Sequence, residues 1–195
     1  MASGRASATG RGAGFTVRRL RPEDVPAARA IMVRTFEDDF GTGYLPEIHT
    51  DVADLVSVYV ETPRNALFVA VDDATGEVVA TAGVRDGALK PGVSPAHLVA
   101  RYDPRTTAQL VRVYTLPEHR RRGIATALVR ASLEHILADG GYSLVALHTY
   151  PHSPGAIGFW QSVGARVVYE DERDGIRTVF MEIPLEEARR FVERR

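Results

Sequence analysis

Apolar positions change their period several times along the chain, and each change marks an element. Residues 15–19 alternate apolar and polar as a half-buried strand does. Pro22-Glu23-Asp24 then opens a helix, with proline pre-set for the first turn and acids at its positive end. Val25, Ala28, Met32 and Phe36 give that helix one apolar stripe. A polar, glycine-containing stretch follows from Glu37 to Tyr44, and Pro46 starts a second helix whose Ile48, Val52, Leu55 and Tyr59 share a face. Residues 66–71 and 78–84 read as two strands, and the turn-rich run 72–77 between them predicts an antiparallel hairpin. Residues 86–108 carry glycine, proline and little periodicity, so a long loop is expected.

The second half is more sharply patterned. A Val- and Leu-rich strand at 110–116 runs into Pro117-Glu118-His119-Arg120-Arg121-Arg122-Gly123. A strong helix follows, with Ile124, Leu128, Val129, Leu133, Ile136 and Leu137 as its buried face and Gly140-Gly141 as its stop. Residues 143–149 form another apolar strand, which makes 110–149 a strand-helix-strand unit with a parallel crossover. A short helix at 155–163 ends at Gly164, strands at 166–169 and 177–183 flank the turn Arg173-Asp174-Gly175, and a charged helix follows Pro184. The order β-α-α-β-β-β-α-β-α-β-β describes an α/β (α+β) domain, a mixed sheet with helices on its faces. Residues 1–14 are small, polar and aperiodic, so they are expected to be a flexible tail on a single domain at 15–195.

Composition narrows the function classes. With 45% hydrophobic and 25% charged residues the chain is globular, and a net charge of −1 lacks the basic field that non-specific nucleic-acid binding needs. The absence of cysteine excludes a disulfide scaffold, cysteine zinc sites and a thiol nucleophile. No apolar run approaches the roughly 20 residues of a membrane helix, and the N-terminus lacks the apolar core of a secretory signal. A cytoplasmic protein without nucleic-acid or membrane partners is expected. His148 and His152 are four apart, but Pro151 and Pro154 deny them a helix, so no metal site is expected.

The segment RRRGIATAL, residues 120–128, carries the strongest chemical signal. Free N–H groups and a partial positive charge lie at a helix start, and a preceding glycine lets the chain bend so that those groups face an anion. Arg120, Arg121 and Arg122 beside it supply charge-assisted bonds to phosphate oxygens, while Gly123 and Ala125 leave room for close approach. Together they form a diphosphate cradle. It is neither a P-loop nor a dinucleotide fingerprint, since both glycine patterns are absent.

Arg120-x-x-Gly123-x-Ala125 resembles the Arg/Gln-x-x-Gly-x-Gly/Ala signature of the GNAT superfamily of acetyl-CoA-dependent N-acetyltransferases. Thr115-Leu116-Pro117-Glu118-His119 is similar to that family's Val-x-Pro-Glu-Tyr, and residues 156–165, AIGFWQSVGA, resemble its Ala-x-x-Phe-Tyr-x-x-x-Gly-Phe helix. The resemblance implies a mostly antiparallel central sheet with helices on both faces, and acetyl-CoA as cosubstrate. It places Val113, Tyr114 and Thr115 beside the pantetheine arm, with an amide that could polarise the thioester carbonyl. Residues Arg121, Arg122, Gly123, Ile124, Ala125 and Thr126 would hold the diphosphate.

Two departures stand out. Ser153 occupies the place of an asparagine near the pantetheine, and Trp160 stands where the family commonly has a tyrosine that protonates the departing thiolate. An indole cannot do so at physiological pH, which leaves Tyr150 and Tyr114 as candidate catalytic acids. The stretch holding Glu37, Asp38, Asp39, Phe40 and Tyr44 resembles a wall of the family's acceptor site, and carboxylates beside aromatic faces favour a cationic ligand. The expected reaction moves acetyl to a primary amine of a small molecule or peptide by direct attack in a ternary complex. A non-catalytic acyl-CoA-binding or sensing module is the alternative. The C-terminal helix and strand edges could serve a homodimer.

Overall fold

The computed structural model describes residues 10–194 except 88, 90, 93, 152, 154 and 174. Strand structure begins inside the stretch expected to be a tail. Gly10–Gly12 form β1, which pairs antiparallel with β2 (Phe15–Arg19) across a turn at Gly14, whose φ of 80° suits glycine. The pairing uses main-chain groups, so the aperiodic side chains gave no sign of it. Residues 1–9 of that stretch lie outside the described residues, as do Asp174 and His152.

The chain divides into two compact units, Met1–Gly83 with Arg112–His135, and Val84–Val111 with Ile136–Arg195. In the first, strands follow the order β1-β2-β3-β4, with β3 at Ala66–Asp72 and β4 starting at Val78 and ending at Asp86 in the second unit. β2 and β3 are antiparallel. A 3-10 turn at Pro22–Asp24 leads into α1 (Val25–Arg34), which runs on as a π-helical turn at Thr35–Asp39, so the helix extends into the stretch expected to be loop. The predicted second helix is broken. Only α2 (Thr50–Ala53) and a π turn at Ser57–Glu61 form around Asp54, and Ile48 is 41% exposed while Val52, Leu55 and Tyr59 are buried.

The second unit orders its strands β5-β6-β8-β7, namely Thr107–Thr115, Leu144–Thr149, Ile176–Pro184 and Arg166–Arg173, with the last four residues of β5 belonging to the first unit. β5 and β6 run parallel as expected, and β6 with β8 and β8 with β7 run antiparallel. The expected long loop holds a helix, α3 (Ala96–Arg101). It is anchored by Arg101, which donates to both oxygens of the buried Glu182 carboxylate at 2.8 and 2.9 Å, and by the Tyr102 hydroxyl, which donates to Glu182 at 3.0 Å. Burial and the adjacent carboxylate both push the Tyr102 hydroxyl up from its ordinary range.

α4 (Ile124–Asp139) buries Ile124, Leu128, Val129, Leu133 and Ile136, whereas Leu137 is only half-buried, and Gly140 stops it with a φ of 75°. α5 (Ala156–Val163) ends at Gly164, and α6 (Leu185–Glu193) closes the chain. The architecture is mixed α/β with mostly antiparallel pairing. No helix among the described residues is long and apolar enough to cross a membrane.

Candidate active site

In the first unit, β5 delivers the chain to the start of α4 through a short 3-10 turn at Pro117–His119. The turn is followed by two left-handed residues two apart, Arg121 at φ 64° and Gly123 at φ 79°. A left-handed arginine costs about 1–2 kcal/mol of backbone strain, and such strain collects at ligand clamps. Kinks of this kind present successive N–H groups to one side, the backbone form that holds anions. The first main-chain bond of α4 runs from the Ala127 N–H to the Gly123 carbonyl at 3.1 Å, so the amides of Ile124, Ala125 and Thr126 lie ahead of the helix ladder. A Cβ at Gly123 would meet nothing within 4 Å. Open space, free amides and positive helix end together fit a diphosphate.

The three arginines have separate situations. Arg120 donates to the Thr115 carbonyl at 3.1 Å and is ion-paired with Asp39. Arg122 donates to the Asp72 carboxylate at 2.9 Å and to the Gly14 carbonyl at 3.3 Å, and its Nη1 lies 2.8 Å from His119 Nδ1. The Ala74 N–H first, then Arg122, hold the Asp72 carboxyl below the usual carboxylate range. Arg121 is exposed and has no hydrogen bond or ion pair among the described residues. Arg120 and Arg122 are thus engaged by other segments of the fold, whereas the Arg121 side chain is exposed.

The acidic run is likewise divided. Asp38 accepts from Arg34 at 3.2 Å, Arg34 also donates to Glu118 at 3.1 Å, and Asp39 is taken by Arg120. Two arginine bridges thus tie the π turn to the loop at 115–120, and each of the two aspartates is paired with an arginine. Glu37 is exposed and without an ion-pair partner among the described residues. Phe40 lies 5.8 Å from the Tyr114 ring and 6.4 Å from Phe36, while Tyr44 faces His49 at 6.0 Å and the Arg29 guanidinium at 5.5 Å.

Sequence reasoning missed the buried centre beside these rings. Arg112 sits mid-strand in β5 with φ 55°, which breaks the regular pleat, and its carbonyl accepts the Thr81 hydroxyl at 2.7 Å. Its guanidinium donates to both Asp51 oxygens, at 2.9 and 2.6 Å, and lies 5.2 Å from the Phe36 ring centre. The Tyr59 hydroxyl donates to Asp51 at 2.7 Å, and His49 stacks on Phe36 at 3.9 Å. Burial alone would lower the Arg112 pKa, but the Asp51 hydrogen bonds and the nearby negative groups outweigh it and raise it. Burial raises the Tyr114 hydroxyl as well, against the pull of Arg112 3.5 Å away. Of the expected pantetheine residues, Val113, Tyr114 and Thr115 all lie on this half-buried end of β5.

Tyr150, Ser153 and Trp160 belong to the second unit. Trp160 is 7% exposed on α5, with its ring 5.1 Å from Phe159. Tyr150 is half-buried just past β6, 6.1 Å from the His148 ring. Ser153 donates its N–H to the Tyr150 carbonyl at 3.1 Å, closing the turn that leads to α5. Among the described residues no group of three or more His, Asp or Glu side chains is placed to hold a metal ion.

N-acetyltransferase 8 of Rattus norvegicus is 32% identical over 127 residues, 65% of this chain and 51% of the relative. N-acetyltransferase 8 of Mus musculus is 33% identical over 117 residues, 60% of this chain and 45% of the relative. The chain therefore spans about half the length of these curated relatives. A GCN5-related N-acetyltransferase from Kribbella flavida superposes with a TM-score of 0.67 at 21% identity, covering 88% of this chain and 98% of its own. The Salmonella typhimurium protein yncA, solved with its cofactor acetyl-CoA, does so at 0.63 and 16%, covering 89% and 95%. Residues 26–165, which carry the cradle, the bridged acidic turn and α5, match the family described as Acetyltransferase (GNAT) family, and the chain belongs to it.

Proposed function

We propose that the protein is an N-acetyltransferase of the cytoplasm that moves an acetyl group from acetyl-CoA to a primary amine by direct attack in a ternary complex. The observation that carries this reading is the loop at 120–126, where left-handed Arg121 and Gly123, the amides ahead of α4 and the unengaged Arg121 side chain form one anion site. Acetyl-CoA would supply the activated acyl group and a tolerable leaving thiolate. This chain's part is to hold the diphosphate at 121–126, align the donor along Val113 to Thr115 and bring the amine in neutral form. The name carried by the rat and mouse relatives supports nitrogen as the accepting atom. The test is a panel of primary amines with acetyl-CoA, read by mass and by thiol release. Binding of coenzyme A with no thiol released from any amine would favour the acyl-CoA-sensing alternative, for which the buried Trp160 at the usual acid position is the supporting feature.

Of the two candidate proton donors, Tyr150 is the one put to the test first, because burial holds the Tyr114 hydroxyl above its ordinary range. Tyr150→Phe is expected to lower kcat by about 100-fold, the lower end for loss of a general acid, with the acetyl-CoA KM kept. An unchanged kcat would remove Tyr150 from the chemistry.

On the acceptor side, the run Glu37, Asp38 and Asp39 faces the amine with Phe40 and Tyr44 as aromatic walls, and Glu37 is its carboxylate without an ion pair among the described residues. Glu37→Gln is expected to raise the acceptor KM about threefold while leaving the acetyl-CoA KM alone, and Asp39→Asn to do the opposite, lowering the acetyl-CoA KM about threefold by releasing Arg120. Initial-rate kinetics with both substrates varied separate the two.

A further inference from the structure

Arg122 precedes the cradle glycine, yet its guanidinium is turned to the end of β3. Asp72, 5% exposed, accepts Arg122 Nη1 on Oδ2 at 2.9 Å and the Ala74 N–H on Oδ1 at 3.0 Å. The same Nη1 lies 2.8 Å from His119 Nδ1, and that nitrogen is 3.7 Å from Asp72 Oδ2. A guanidinium has donors only, so His119 Nδ1 must be the acceptor and must be unprotonated in this arrangement. The imidazole therefore holds Arg122 only while it is neutral.

We propose that Asp72 and His119 are positioning residues for Arg122, and that protonation of His119 transfers the Asp72 carboxylate from the arginine to the imidazolium and releases Arg122 toward the cofactor diphosphate. A proton taken from water at Nδ1 turns an acceptor into a donor and sets two cations in contact. One carboxylate oxygen is already within reach of the new N–H, so the imidazolium has a partner to move to, while the arginine keeps only the neutral Gly14 carbonyl at 3.3 Å. The other charged groups around His119 leave this exchange intact. On its own segment Glu118 is bonded to Arg34 of α1, Arg120 to Asp39 of the π turn, and Arg121 is exposed. From the β3 turn, Asp73 accepts the Thr16 hydroxyl at 2.8 Å.

The inference rests on the cradle reading, and the experiment separates the two. Dephospho-coenzyme A is the probe, because its diphosphate keeps its charge across the range in which histidine titrates. Wild type is expected to bind it about fivefold more tightly at about pH 5.5 than at about pH 8, and His119→Gln, whose amide oxygen accepts from Arg122 without titrating, to bind with no such difference. A flat wild-type profile, or the same slope in His119→Gln, overturns the proposal. No binding at either pH strikes the cradle reading, and the triad is then decided in the unliganded protein by NMR of the Arg122 guanidinium, whose signals should change between about pH 8 and about pH 5.5 in wild type and not in His119→Gln. The same change in both proteins, or none in either, overturns the inference whatever the cofactor does.

Discussion

Gly123→Asp is expected to reduce coenzyme A affinity by more than about 100-fold, and Gly123→Asn by only severalfold. The pair is chosen because the left-handed backbone at φ 79° is tolerated by asparagine and aspartate far better than by other side chains, so both variants keep the loop. Open space around the position removes steric conflict within the protein itself. What differs between the two variants is one negative charge beside the amides ahead of α4. At about 4 Å and an effective dielectric of about 20, two like charges repel by roughly 4 kcal/mol, well over the roughly 2.7 kcal/mol that 100-fold requires. Calorimetric titration with coenzyme A, with thermal melts to confirm that both variants fold, measures the difference. Equal affinities for the two variants would place the diphosphate elsewhere.

The strand, turn and helix of residues 107–139 were legible because local and tertiary signals coincide there. A β-rich run, a proline turn, a glycine and a long amphipathic stripe with a glycine stop all predict the same strand-loop-helix, and the fold has little to add. The elements that escaped notice are those whose stability comes from partners remote in sequence. α3 spans only Ala96–Arg101, too short for a period, and its anchor is Glu182, 81 residues away from Arg101. β1 is defined by main-chain pairing, which three small or polar residues cannot advertise. The division of labour among Arg120, Arg121 and Arg122 was equally hidden, since Asp39 and Asp72 reach them from other elements. One signal was available and unused. Arg112 interrupts the apolar run of β5, and a charged residue in a buried strand calls for a buried partner.

That partner makes Asp51→Ala the substitution with the largest expected cost to the fold. The Arg112 and Asp51 side chains are 14% and 2% exposed, and both carboxylate oxygens accept from the guanidinium. Removing the carboxylate strands a buried cation and also leaves the Tyr59 hydroxyl without its acceptor. Breaking a buried pair from one side costs about 3–5 kcal/mol, which for a chain of this size lowers Tm by roughly 6–20 °C. Asp51→Asn, which keeps one accepting oxygen, should fall between. The double variant Asp51→Ala/Arg112→Met should recover much of the loss, because the charge is gone and the methionine fills the volume of the arginine stem. Recovery of stability need not bring recovery of turnover. Arg112 lies against Phe36 and touches Tyr114, so its removal frees the rings that form the half-buried end of β5. Thermal melts and acetyl-CoA kinetics on the three variants therefore read different things. A double variant as unstable as Asp51→Ala would show that the carboxylate does more than balance Arg112, and a double variant with full activity would detach the buried pair from the site.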